Sequence, residues 1–263
     1  MIVFSALVPH APFLVPSVGK AASEQLHATR LALEQVEERL VLARPDTIVV
    51  ISPHAPHYPD AWSANMSPTF SAHMQDFGDH ETTVPARVNY LLIDRLHRAL
   101  REANLPFTLR SSELLDYGYT VPLLTLTKHL TNWSLVPLAP SEHALEEQAR
   151  FGAELYKVLQ SEEARIAVIA SADLCHHGSA EAAASPTQAT HLYDQAVRQA
   201  VQTASLAPLL AASQALPAEK HPCGERPLAI LLGSLQESHV KPEEHVYEAP
   251  LGVGYLTASF RVA

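Results

Sequence analysis

Residues 2–12 read Ile-Val-Phe-Ser-Ala-Leu-Val-Pro-His-Ala-Pro, and residues 48–56 read Ile-Val-Val-Ile-Ser-Pro-His-Ala-Pro. Each is a short apolar run, rich in β-branched residues, that stops at a Pro-His-Ala-Pro turn. Apolar character on both faces marks a strand buried on both sides, as in a sheet covered by helices. Further strand-like runs lie at 107–109, 135–138, 165–171 and 254–260. Helical patterns fall between them at 22–43, 87–103, 143–159 and 187–204, and the apolar run 228–235 reads as a helix packed inside the protein. In the first of these, Leu31, Val36, Leu40 and Leu42 mark the expected apolar positions. Strands alternating with helices predict an α/β fold with a largely parallel or mixed central sheet covered by helices on both faces. The 20 prolines are scattered rather than gathered into a linker, so residues 1–263 are expected to form a single domain. Residues 55–84 lack a clear period and are expected to be a long loop lying over the strand ends.

The composition narrows the function. At 47% hydrophobic and 17% charged, the chain has the apolar surface to fold by itself. A formal charge of −10 without a basic cluster argues against nucleic acid or an anionic membrane as partner. The apolar start has no basic residue before it and meets Pro9 and Pro12 early, unlike a signal peptide or a membrane span, so the expected location is cytoplasmic. Cys175 and Cys223 are too few for a disulfide framework and are expected to be reduced.

The 15 histidines are the unusual count. His10 and His54 occupy the same place in the two Pro-His-Ala-Pro turns. In an open α/β sheet, ligands bind beyond the carboxyl ends of parallel strands. A proline on each side stiffens the turn and orients the imidazole. We therefore read His10 and His54 as two ligands of one metal. The run 166–170 leads into Ser171-Ala172-Asp173-Leu174-Cys175-His176-His177 on the same expected edge. This segment supplies a candidate acid/base in His176, with His177 as fallback, and Asp173 as its orienting acceptor. A third titratable cluster, His221-Pro222-Cys223-Gly224-Glu225, sits where a helix begins, a position that favours a carboxylate or thiolate. Glu225 would complete a two-histidine, one-carboxylate set, the arrangement of non-haem Fe(II) oxygenases, and Cys223 is the alternative third ligand.

Taken together, Pro9-His10-Ala11-Pro12, Ser52-Pro53-His54, Asp173-Leu174-Cys175-His176 and Cys223-Gly224-Glu225 resemble the class III extradiol dioxygenases, the family containing the catalytic subunit of protocatechuate 4,5-dioxygenase. They also resemble the related Memo-like proteins. The resemblance spans the whole chain. It implies Fe(II) on His10, His54 and Glu225, with His176 as acid/base, cleaving a catechol- or aminophenol-type ring with O2. Many ring-cleaving members carry Asp-His-Gly in mid-chain, where this sequence has Asp116-Tyr117-Gly118, so Tyr117 replaces a substrate-facing histidine and is expected to hydrogen-bond a substrate oxygen. Memo-like proteins have a Cys-Gly pair, with the cysteine near the metal, where Cys223-Gly224 stands.

The partners so implied are a small aromatic diol and O2, with a homodimer or a small accessory subunit as protein partner. Trp62, Phe70, His73 and Phe77 are expected to wall the aromatic ring. Two other readings use the same residues: a Memo-like metal-binding or redox protein without ring cleavage, and a Zn²⁺ hydrolase. A Ser171-His176-Asp173 esterase is weaker, because no Gly-x-Ser-x-Gly elbow is present.

Overall fold

The computed structural model describes residues 1–176, 188–217 and 220–262. An eight-stranded sheet forms the body. In chain order its strands are β1 (Ile2–Val8), β2 (Thr47–Ile51), β3 (Trp62–Asn65), β6 (Phe107–Arg110), β8 (Ser134–Ala139), β9 (Ile166–Ser171), β10 (Val240–Glu248) and β11 (Tyr255–Val262). Their spatial order is β10-β11-β1-β9-β2-β8-β3-β6. The centre, β1-β9-β2-β8, is parallel. β11 joins it antiparallel on one side and β3 on the other, so the sheet is mixed. A small second sheet holds β5 (Asp79–Val84), β4 (Ser71–Met74) and β7 (Leu114–Leu115).

The apolar runs are explained by two cores, one on each face. Because side chains alternate along a strand, Val49 and Ile51 of β2 enter one core while Ile48 and Val50 enter the other. In β9, Ile166, Val168 and Ala170 likewise oppose Ala167 and Ile169. One face is covered by α3 (Tyr90–Glu102), α5 (Leu145–Gln160), α6 (Gln188–Thr203), α7 (Ala207–Ala215) and α8 (Glu225–Leu235). The other is covered by the short α1 (Pro16–Gly19) with α2 (His27–Ala43) and α4 (Tyr117–Leu126).

Three expectations are corrected. Residues 55–84 are not a structureless loop: they contain β3, β4 and β5. Trp62 belongs to the core rather than to a substrate wall. Its Nε1 donates to Gln148 Oε1 at 2.7 Å and its ring stacks on Phe151 and His143. Phe70 is also buried in core packing. On α2 the inward face carries Leu33, Val36 and Leu40, whereas Leu31 and Leu42 project to solvent. Among the described residues, no helix is long and apolar enough to cross a membrane.

Candidate metal centre

β1 and β2 flank β9 as parallel neighbours. Their carboxyl ends therefore bring both Pro-His-Ala-Pro turns beside the segment that follows Ser171. His10 is buried, and its backbone N–H donates to Asp173 Oδ1 at 2.9 Å. Its Nδ1 lies 2.9 Å from Ser171 Oγ, which fixes the ring. The opposite nitrogen, Nε2, then faces inward, 3.1 Å from His54 Nε2 and 3.4 Å from Cys223 Sγ. One ligand atom from each of His10, His54 and Cys223 lies within 4.8 Å of the others, the convergence expected of ligands to one ion.

Electrostatics suit that role. Burial lowers His10 and His54 to about 3, with smaller contributions from neighbouring histidines. Both rings are thus neutral at physiological pH, the form that offers a lone pair to a metal. Burial, with Asp173 next in importance, pushes the Cys223 thiol up to about 12. A cation must displace that proton to gain the thiolate. Asp173 is raised to about 7 by burial, against the opposing His10 N–H bond and His176. Its Oδ2 stands 3.6 Å from His10 Nε2.

The second turn is braced from α4. His54 N–H donates to Ser52 Oγ at 3.2 Å, and Ser52 Oγ donates to Asp116 Oδ1 at 2.6 Å. Asp116 also caps α4 by accepting from Gly118 N–H at 2.8 Å. Gly118 permits the approach, since a Cβ there would fall 2.3 Å from Ser52 Oγ. Tyr117, the first residue of α4, is placed against the centre. Its ring stacks on His54 at 4.3 Å between centroids and meets His10 edge-on at 5.6 Å. Phe77 meets Tyr117 edge-on at 5.4 Å, so of the expected aromatic wall Phe77 is the ring in contact with Tyr117. Burial, then Cys223 and Asp173, raises the Tyr117 phenol to about 12, which keeps it protonated.

Glu225 does not join His10 and His54, which corrects the expected two-histidine, one-carboxylate set. It opens α8 facing the other way. Its carboxylate accepts from Tyr193 OH at 3.3 Å and Ser213 Oγ at 3.1 Å, and pairs with His221 Nδ1 at 2.9 Å. Cys223 Sγ instead completes the candidate ligand set. His176 is exposed and its backbone bridges to Val253. It is close enough to influence His10, His54 and Asp173 electrostatically. Asp173 serves His10 rather than His176 by hydrogen bonding. His177 lies outside the described residues. Ser171, considered in the sequence only as a hydrolase nucleophile, is the partner of His10; its signal was its place at the end of the strand between the two turns.

Comparison with known proteins supplies the family and a shared fold. Residues 5–258 match the family model LigB, described as the catalytic LigB subunit of aromatic ring-opening dioxygenase. "Protein CA_C1420" of Clostridium acetobutylicum is 23% identical over 258 residues, which are 95% of this chain and 55% of that protein. The chain thus spans about half the length of this curated relative. Among solved structures, uncharacterized protein JW3007 from Escherichia coli K12 shares the fold, with a TM-score of 0.69 at 15% identity over 98% of this chain and 99% of that one.

Proposed function

Because the chain belongs to the family of the catalytic LigB subunit of aromatic ring-opening dioxygenase, we propose that it is a Memo-like metal-binding redox protein whose ion is held by His10, His54 and Cys223. The observation that carries this reading is the Cys223 sulfur, 3.4 Å from His10 Nε2, where an Fe(II) facial triad requires a carboxylate. Glu225 is committed to His221, Tyr193 and Ser213, so the residues do not fit that triad. Two imidazoles and a thiolate suit a borderline or soft cation such as copper or zinc. When bound, copper would supply one-electron redox chemistry, and zinc would supply Lewis acidity.

The chain's own groups have separable tasks. Ser171 fixes the His10 ring so that Nε2 is the ligand atom. Asp173 Oδ2 stands beside the ligand atoms as a carboxyl that can hold or release a proton near neutrality. Tyr117 and Phe77 give the centre a flat, aromatic side that suits a planar ligand. His176, at the rim, is the acid/base exchanging protons with solvent. Extradiol cleavage of a catechol with Fe(II) and O2 is the second reading, which the family favours and the ligand set does not.

Metal loading separates the two. Purified protein is titrated with Cu²⁺, Zn²⁺ and Fe²⁺, and oxygen uptake is followed with a panel of catechols and aminophenols. We expect one copper or zinc per chain, a sulfur-to-copper absorption band that Cys223→Ser removes, and no catechol-dependent oxygen uptake. Fe²⁺ binding that survives Cys223→Ser, is lost in Glu225→Gln and supports oxygen uptake would reinstate ring cleavage. If a turnover assay is found, His176→Phe should lower the rate while metal stoichiometry stays at one.

A further inference from the structure

Away from the metal centre, α2 and α4 part to leave a cavity of about 360 Å³ whose third wall is the turn 14–17. This is within the range of small-molecule sites, about 300–1,000 Å³. Its apolar lining includes Val15, Leu33 and Leu124. Its mouth carries Arg30 from α2 and Lys128 just after α4.

In a chain of net charge −10, two cations beside one apolar hole are a local reversal. Neither has an ion-pair partner among the described residues, although Glu34 lies one helical turn from Arg30. Glu34 and Lys128 are exposed, whereas Arg30 is half-buried. Asp79, behind the lip, has its charge met by Ser17, Thr82 and the backbone N–H of Glu81. The hydroxyl hydrogens nearby are engaged as well: Ser17 donates to Asp79 and Thr125 donates to Val121 O. Free donor capacity at the mouth therefore belongs to Arg30 and Lys128, and a guanidinium with an ammonium beside it matches a carboxylate.

We propose that this cavity binds a small apolar monocarboxylate, with its tail among Val15, Leu33 and Leu124 and its carboxylate on Arg30 and Lys128. The site is distinct from the metal centre, since its lining residues include none of His10, His54 and Cys223. The 3-10 turn Pro12–Leu14, whose last residue lines the cavity, follows directly on the His10 turn. The inference does not depend on which metal, if any, the centre holds.

The test is calorimetric titration of metal-free full chain with octanoate and with 4-phenylbutyrate, using octanamide as the neutral control. Metal-free protein prevents a carboxylate from binding to an ion. We expect saturable one-to-one binding of the acids, and affinity at least about tenfold lower for octanamide. Arg30→Gln should weaken octanoate by about tenfold, and Thr125→Trp should fill the cavity and abolish binding. No saturable binding up to millimolar acid, or equal binding of octanamide, would overturn the proposal. The acid–amide comparison uses unaltered protein, so it decides the matter even if a variant fails to fold.

Discussion

Cys223 lies in the turn before α8, and Glu225 is the first residue of that helix. Only one of them reaches His10. The buried thiol does so, while the carboxylate turns to His221 and Tyr193. Cys223→Ser should lower copper or zinc affinity by at least about tenfold, the scale on which even outer-shell losses act. Glu225→Gln should leave metal affinity unchanged and cost only local stability. Competition with a chromophoric chelator measures both, and equal losses would show that the ion bridges the two side chains. His10 and His54 were legible in the sequence because a specific four-residue turn recurs after two buried runs. The choice between Cys223 and Glu225, both named from the sequence as the third candidate, was not, since a sequence does not fix which way neighbouring side chains point where a helix starts. Ser171 was hidden for a related reason: a serine at a strand end acquires meaning only from the imidazole brought against it.

At the scale of elements, the centre depends on helix starts pressed against strand ends. Gly224 at the head of α8 sits so near the 172–173 backbone that a Cβ would fall 2.5 Å from Asp173 O and 2.6 Å from Ala172 Cβ. The obstacle is partly backbone, so Gly224→Ala must shift α8 or the Asp173 turn, separating Cys223 from His10. We expect a loss of about 1–3 kcal/mol, the usual cost of overpacking, together with weaker metal binding. Urea melts and metal titration of the same variant check the pair, and a variant as stable and as tight as the parent would refute the close contact. The sheet's parallel centre was readable because its strands are apolar on both faces. β3 was missed inside 55–84 because it is only four residues long, and α4 because Gly118 and Pro122 punctuate a segment too uniformly apolar to show a helical period. β10 escaped because it is an edge strand carrying Lys241, Pro242, Glu243 and Glu244, which blunt an edge and obscure a strand pattern. Leu31 and Leu42 were misplaced because α2 has spare apolar residues on its solvent side, so composition alone does not select the face.

Across the whole molecule, these buried groups couple the metal-free centre to folding through pH, and their signs oppose. His10 and His54 titrate near 3 when folded and near their ordinary value of about 6.5 when unfolded. Between those values the unfolded chain binds more protons, so their contribution makes stability rise with pH. Asp173 does the reverse. Its folded value of about 7 lies above the ordinary carboxylate range, so from about pH 4 to 7 the folded chain binds the extra proton and its contribution makes stability fall with rising pH. Over about pH 4–6.5 the aspartate therefore offsets part of the histidine slope. Asp173→Asn removes the offsetting group and keeps a side chain of similar shape that can still accept from His10 N–H. We expect metal-free Asp173→Asn to gain stability more steeply than the parent as pH rises from about 4 to 6.5. Above about pH 8 the direction of the pH dependence should be the same in both proteins, because by then the three groups have lost their protons in both states. Urea midpoints measured at half-unit pH steps in the presence of a chelator give the two slopes. Parallel slopes would mean that Asp173 is ionised in the folded protein, and its carboxylate would then supply a negative charge beside the neutral His10 and His54 rings.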